Sequence, residues 1–387
     1  MTFINVVKRE IERFYKRPLI WTISFFLPLI MSLIICLIFA KGSPTDLPIA
    51  ILDNDNSEIS RLFIRNLNAL PSCNVKYRVS DFLEGKQLLT EGKAYAFFAI
   101  PKDFQSDMYK MKKPKLLFYY NNQRILIGGI ISKDVNMMVQ SMMVGLDAKI
   151  RTKQGLPYDE ALKQANLIKI DDHIHSNPYF NYQYFLALVA LGHTIQISMI
   201  LLTLWAFGSE FKYGTTKQWL NSAENSIVCA IFGKIAPYFL IFSLFFALLY
   251  AVLFGAYSVP FAGNWILVIF STIFFILACF AAGLLFLSFN GNFRFSLSNA
   301  AFYSAMGFAF AGVTFPTMSM PLVAKIYSAM LPLSYWIQIM IDQSQRQTPV
   351  IYDYKQFLGL TVFILIGLLA MPRIKSLAHD EKRWYQI

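Results

Sequence analysis

The stretch Gly208-Ser209-Glu210-Phe211-Lys212-Tyr213-Gly214-Thr215-Thr216-Lys217-Gln218-Trp219-Leu220 is a polar interruption between two long apolar runs. Residues 184–207 before it carry no charged side chain, and residues 227–256 after it carry only Lys234. A hydrocarbon core of about 30 Å takes about 20 helical residues to cross, and each run is long enough. The interruption, taken as the loop 208–226, therefore reads as the connection between two membrane helices.

Composition agrees. Of 387 residues, 56% are hydrophobic and 15% charged, with a mean hydropathy of +0.46, far more apolar than an ordinary soluble domain. The net charge of +12 raises the question of nucleic acid. The Lys and Arg residues are scattered, however, through a polar segment and along membrane borders, with no basic run interleaved with aromatics. The expected surroundings are a lipid bilayer, and nucleic acid is not an expected partner.

Around the loop, apolar runs at 18–40, 184–207, 227–256, 265–289, 296–313 and 357–371 make six passes, the last extending back toward Tyr354 to span. The first follows Lys8, Arg9, Arg13, Lys16 and Arg17. It is too long for the apolar core of a signal peptide, about 7 to 15 residues, and Pro28 should kink it. Between the first and second passes, residues 41–182 turn polar. Strand patterns at 47–52, 74–79, 94–100 and 115–120 alternate with helical patterns at 57–70, 81–91 and 102–110, which argues for a small α/β domain. A long amphipathic helix follows, marked by Ile130, Ile131, Val135, Met138, Val139, Met142, Met143, Leu146 and Ile150. The expected fold is an α-helical integral membrane protein with six transmembrane helices and an α/β extracytoplasmic domain inserted between helices 1 and 2.

Charge bias orients it. The segment 1–17, the loop 208–226, Arg294 and the tail 372–387 are basic and fall on one side, whereas the 256–264 loop has no Lys or Arg. By the positive-inside rule the termini and loop are cytoplasmic, and a long segment such as 41–182 crosses largely regardless of its charge.

Residues 315–354 are broken by Pro316, Pro321 and Pro332. Two pieces, 322–331 and 333–343, are apolar enough to dip into the outer leaflet. They read either as an external re-entrant segment, which needs protein or water around its irregular backbone, or as interfacial helices anchored by Tyr335 and Trp336. Lys234, the one charge inside a span, reads either as a side chain snorkelling to the headgroups or as a member of an ion pair, for instance with Glu210. Asp171, Asp172, His173 and His175 lack the further ligands at site-like spacing that a metal needs, so no metal and no other cofactor is expected. Cys73 has no second cysteine in its segment, and Cys36, Cys229 and Cys279 lie in apolar runs as small core residues. No catalytic motif is present: Gly233-Lys234-Ile235 lacks the first glycine and the hydroxyl of a phosphate-binding loop, and neither His-Glu-x-x-His nor Gly-x-Ser-x-Gly occurs. The chain is not expected to be an enzyme.

Ala50-Ile51-Leu52-Asp53-Asn54-Asp55, Ala99-Ile100-Pro101-Lys102-Asp103-Phe104, then Glu210, Gly214, Thr215, Gln218 and Leu220, then Gly233-Lys234 with Pro237-Tyr238, and finally Gly312, Phe315-Pro316, Met320-Pro321 and Pro332-Leu333 occur in this order. In order and spacing the sequence resembles an ABC-2 type permease, the six-helix membrane subunit of an ABC exporter. It departs from that pattern in having no proline between Asn221 and Asn225 and no clear acidic-basic pair after Tyr335.

The resemblance implies that the loop is a coupling helix seated in a groove of a separate ATP-binding subunit. Phe211, Tyr213, Trp219 and Leu220 would be apolar anchors, with Glu210, Lys212 and Lys217 setting register, Gly214 making the turn and Thr215 capping the helix through its hydroxyl. It further implies a second permease subunit, identical or related, with the substrate pathway between the two. The expected location is a bacterial cytoplasmic (inner) membrane. Among such exporters, a large external domain is more like those of drug and lipid efflux that work with a periplasmic adaptor (membrane fusion) protein. Two other classes fit composition alone: a membrane-anchored receptor or envelope-organising protein acting through its external domain, and a secondary transporter, which the scarcity of charge in the spans disfavours.

Overall fold

The computed structural model describes residues 2–110, 112, 114–123, 125–165, 177, 181–261, 263–289 and 291–381. The chain forms two compact units, Met1–Gly42 with His175–Ile387, and Ser43–Ile174.

The first unit opens with a helix that composition alone did not announce. α1 (Thr2–Lys16) buries Val6 and Glu10, the four-residue spacing of one helix face, keeps Arg9 and Arg13 half-buried beside them and turns Lys8, Glu12 and Lys16 outward. α2 (Pro18–Trp21) and α3 (Leu27–Ile38) are joined through a π turn, Thr22–Phe26, into one apolar span, Pro18–Ile38. Pro28 has no N–H for the carbonyl four residues back, and the widened turn just before it absorbs the fault.

The second unit holds β1 (Leu47–Asp53), α4 (Glu58–Asn68), β2 (Cys73–Arg78), α5 (Phe82–Thr90), β3 (Ala96–Ile100), α6 (Phe104–Tyr109) and β4 (Leu117–Tyr120), then the long α7 (Ile125–Lys153) and α8 (Tyr158–Ala165). The strands form one sheet in the order β2-β1-β3-β4, with β4 alone antiparallel. Alternation along β1 decides the layering: Ile49 and Ile51 pack with Ile59, Phe63 and Leu67 of α4, and Ala50 and Leu52 pack with Leu88 and Leu89 of α5. Ser57 and Asp81 start those two helices by accepting from the N–H of Ser60 and Glu84.

The first unit resumes with α9 (Leu188–Lys212), α10 (Thr216–Ser222), α11 (Ile227–Tyr250, continued by a π turn to Ala256), α12 (Trp265–Ser288), α13 (Phe293–Ala305), α14 (Gly307–Phe310), α15 (Leu322–Ala329), α16 (Pro332–Ile341) and α17 (Tyr354–His379). α12 is the hub, packed against α9, α11, α16 and α17. Among the described residues, five helices are long and apolar enough to cross a membrane: Pro18–Ile38, Leu188–Lys212, Ile227–Ala256, Trp265–Ser288 and Val350–His379.

Two expectations are corrected here. The run 296–313 is not one long helix: α13 has 13 residues, about 20 Å at 1.5 Å per residue, and the chain turns at Met306 before α14. Gly312, at φ 87°, keeps α14 from continuing. At the other end, α17 does not stop at 371 but passes through Pro372 to His379, because Pro372 falls where the apolar face still has a core to cover, with Ile374, Leu377 and Ala378 buried beyond it.

Candidate functional site

The polar loop becomes a compact corner. α9 ends in a paired C-cap: Gly214 N–H donates to the Phe211 carbonyl at 3.2 Å and Thr215 N–H to the Glu210 carbonyl at 2.9 Å, with Gly214 left-handed at φ 65°. This is the Schellman arrangement that glycine adopts without a Cβ clash. The far end of α10 needs no proline, since Glu224 and Asn225 both take left-handed conformations (φ 50° and 61°) and reverse the chain into the Ser226 cap of α11.

Beneath the corner lies a cluster of five charges. Glu210 ends α9 fully buried and is gripped by Arg9 in two parallel bonds, Nη1 to Oε1 at 2.7 Å and Nη2 to Oε2 at 2.9 Å. Arg13 also donates to Glu210, reaches Ser209 Oγ at 2.7 Å and pairs with Glu10 at 3.2 Å. From α11, Lys234 Nζ meets Glu210 Oε1 at 2.6 Å and Glu10 Oε2 at 2.7 Å, and Tyr238 donates to Glu10 Oε1 at 2.6 Å. Burial works against the Arg9 charge, but its hydrogen bonds to Glu210 and the attraction of Glu210 and Glu10 outweigh it and hold its pKa above the ordinary guanidinium value. Gly233 lets this happen: a Cβ there would fall 2.9 Å from Val6 Cβ and 3.2 Å from the Phe3 carbonyl, so α1 lies directly on α11. Pro237 has no N–H to offer the Gly233 carbonyl, and is the one proline inside α11.

Of the two readings of Lys234 the structure shows the ion pair with Glu210, and two other expected roles change. Lys234 does not snorkel; it is fully buried and ion-paired, because two carboxylates reach it where water does not. Thr215 does not cap α10 with its hydroxyl, which donates instead to Glu210 Oε2. Phe211, Trp219 and Leu220 are not outward anchors. All three are buried in the chain's own bundle, with Trp219 edge-on to Phe207 at 5.5 Å and its Nε1 donating to the Ala230 carbonyl at 3.1 Å. What α10 and the turn before it present outward is Tyr213, Lys217, Gln218 and Asn221, with Lys212 half-buried beside them, and Glu224, Asn225 and Ser226 are exposed in the turn that follows. Arg17 lies over the Tyr213 ring at 4.5 Å, and Lys217 pairs with Glu381.

The sequence reading took Arg9 and Arg13 for border charges and passed over Glu10. The signal was there in the spacing: Val6, Glu10 and Arg13, with Arg9 beside them, recur at three and four residues, which puts a carboxylate on the packed face of a helix. A second polar group was also missed. His193 Nδ1 and Gln196 Nε2 of α9 and Ser304 Oγ of α13 are buried with no hydrogen-bond partner in the described chain. His193 and Gln196 close on Gly307, where an added Cβ would come within 2.8 Å of His193 Cε1 and 3.5 Å of Gln196 Nε2. Buried donors and acceptors are normally satisfied, so this notch beside the α13–α14 break has room in its chemistry for a polar group from elsewhere.

The three prolines begin their elements as proline can: Pro316 precedes a 3-10 turn, Pro321 precedes α15, and Pro332 starts α16. α15 exposes Leu322 and Val323, while α16 buries Leu333, Trp336, Ile337, Ile339 and Met340. Trp336 is thus no interfacial anchor; it stacks on Phe275 at 4.9 Å, and its Nε1 lies 3.3 Å from Thr272 Oγ1. Asp171, Asp172, His173 and His175 lie outside the described residues. Among the described residues, no group of three or more His, Cys, Asp or Glu side chains is placed to hold a metal.

Compared with known proteins, residues 17–371 match the sequence model of a family described as ABC-2 family transporter protein. No curated protein and no solved structure matches.

Proposed function

The chain belongs to the ABC-2 transporter family, and on that premise we propose that it is the permease subunit of an exporter, driven by a separate ATP-binding subunit and paired with a second permease subunit. Family membership makes it the multi-pass membrane component of a transporter; the motor, the pairing and the outward direction are the proposal.

The observation that carries the reading is the corner at 208–226. A lever has to be stiff, and this one is built so: α10 is pinned by Trp219 to α11, α9 is locked by Glu210, and Lys234 and Arg9 tie both to α1. Force applied to the exposed side of α10 would reach α9, α11 and α1 together, which suits rigid-body rocking of a bundle between two states. Tyr213, Lys217 and Gln218 are the side chains that a partner's groove would meet, in place of the buried Trp219 and Leu220.

Termini and corner on the cytoplasmic side of an inner membrane, with the Ser43–Ile174 unit outside, follow from the charge bias. That unit is the natural contact for a periplasmic adaptor protein in efflux of drugs or lipids.

The deciding experiment is affinity purification in mild detergent with identification of what co-purifies. An ATP-binding subunit, with ATP hydrolysis found in the complex and not in the isolated chain, is the expected result. Robust turnover by the isolated chain would overturn the reading.

A further inference from the structure

The unit Ser43–Ile174 carries a groove that export as proposed does not use. It is open along one side, encloses about 680 Å³, and lies between α4 and β2, the edge strand of the sheet, reaching the end of β1 at Asp53. Arg61 and Arg65 stand one turn apart on α4, and Arg78 closes β2, so three guanidinium groups line one cavity from two walls. All three residues are exposed, and among the described residues none of them is paired with a carboxylate.

The one carboxylate in the lining is engaged elsewhere. Asp53 Oδ1 accepts from the backbone N–H of Asp55 at 3.1 Å and of Asn56 at 3.0 Å, and its Oδ2 accepts from Ser60 Oγ at 2.8 Å. Asp53 is spent on shaping the turn into α4 and does not neutralise the arginines. Arg61 is positioned by a 2.6 Å bond from Nη1 to the Asn56 carbonyl, which leaves its other donors without a partner. Guanidinium forks match the oxygens of carboxylate or phosphate in pairs, and three like charges around one cavity favour an occupant of opposite sign.

We propose that this groove binds a small oxyanion that carries two or more negative charges on phosphate or carboxylate groups, with Arg61, Arg65 and Arg78 as its ligands. An acidic peptide adding as a further strand is the poorer fit. The N–H of Val75, in the middle of β2, is already taken by Asn68 Oδ1 at 2.9 Å, which blunts the edge against strand addition. A soluble diphosphate or polycarboxylate and the phosphate headgroup of a lipid share the required chemistry, so the test carries both.

The full-length chain, purified in detergent without any partner subunit, is titrated calorimetrically with inorganic pyrophosphate, with citrate, and with dihexanoyl phosphatidic acid below its micelle concentration. Saturable binding at one site is expected, weakening as salt is raised. The dissociation constant should rise at least about tenfold in Arg65→Ala and in Arg78→Ala, since each removes a charge-assisted fork, with thermal melting unchanged because both side chains are exposed. Lys86→Ala, an exposed cation elsewhere on the same unit, should bind like the parent. Tighter binding of the phosphatidic acid than of the soluble anions would identify a headgroup; the reverse would identify a soluble ligand. The proposal is overturned if none of the three anions binds saturably, if Lys86→Ala weakens binding as much as the arginine variants, or if a hexaglutamate peptide binds where the small anions do not. Because no partner subunit is present, none of these outcomes depends on the exporter reading.

Discussion

Glu210 and Lys234, 24 positions apart on α9 and α11, meet at 2.6 Å with no exposed surface on either side chain. Around them Arg9, Arg13 and Glu10 complete a cluster of three cations and two carboxylates. The charge is uneven, and that sets an order among the variants.

Glu210→Gln leaves three cations facing Glu10 alone, whereas Lys234→Met leaves two cations facing two carboxylates. Removing one partner from a buried pair costs about 3–5 kcal/mol, and Glu210→Gln should reach that range, while Lys234→Met should lose about half as much. Denaturant unfolding of the purified protein measures both. If Lys234→Met proves the more damaging, Lys234 is the central charge of the cluster and Glu210 is not.

Gly233 is where α1 touches α11, with Val6 Cβ and the Phe3 carbonyl each within about van der Waals distance of an added Cβ. Gly233→Leu should push α1 away at a cost of about 1–3 kcal/mol. It should also speed proteolytic cleavage within residues 2–16, because α1 would spend more time detached. Unchanged cleavage in the leucine variant would mean that α1 is not held at this contact.

Orientation is tested with single cysteines in a background where the half-buried Cys36 and Cys229 are replaced by alanine. Met137→Cys, exposed on α7, should react with an impermeant maleimide on intact cells, and Asn221→Cys, exposed at the corner, only after permeabilisation. The opposite pattern would invert the topology and move the corner away from any cytoplasmic motor.

Cys73 needs no replacement for that experiment. Burial pushes its thiol up to about 11, with Ser72 Oγ 3.5 Å from the sulfur lowering it somewhat. Only the thiolate reacts, so at pH 8 the folded protein should leave Cys73 unlabelled and the denatured protein should label it fast. The sign for stability follows: the neutral thiol is favoured in the fold, so its contribution is intact below the ordinary thiol value near 8.5 and is lost as pH rises toward about 11. Rapid labelling of Cys73 in the native state would show that its site opens readily.

Long-range pairing is what the sequence conceals here. The strands and helices within 47–120 could be read because each depends on alternation and on caps such as Ser57 and Asp81, which act within a few residues. The apolar spans were legible for the same reason, being set by length and composition. Glu10 is different: its partners Lys234 and Tyr238 lie more than two hundred positions away, and nothing local tells a buried carboxylate from a solvated one. Trp219 and Trp336 misled in a related way. Aromatic residues beside a membrane border read as surface anchors, yet both fill the interior, where their size contributes most. The break at Met306 and the end of α14 before Gly312 escaped notice because hydropathy counts residues and is blind to backbone turns such as the left-handed one at Gly312.

Gly214 offers the sharpest test of the corner. Its left-handed φ of 65° closes the C-cap of α9 and aims α10, and a β-branched residue there carries strain of about 1–3 kcal/mol. Gly214→Val lies at the polar end of α9, so the protein should still insert and accumulate. The strain should relax by turning α10, which draws the Trp219 indole off the Ala230 carbonyl and the Thr215 hydroxyl off Glu210. Transport per permease should then fall sharply, with the ATP-binding subunit still bound through the exposed face. Thr215→Ala should act in the same direction, at about 1.5–3 kcal/mol for one hydrogen bond to a charged group, and by loosening Glu210 rather than by uncapping α10. The two variants are separated by adding Arg9→Lys, which replaces the paired fork with a single point charge. Thr215→Ala with Arg9→Lys should be worse than the sum of the two, since both act on one carboxylate, whereas Gly214→Val with Arg9→Lys should be close to additive. If Gly214→Val transports at the parent rate with its ATP-binding subunit attached, residues 208–226 are a connector and transmit no force.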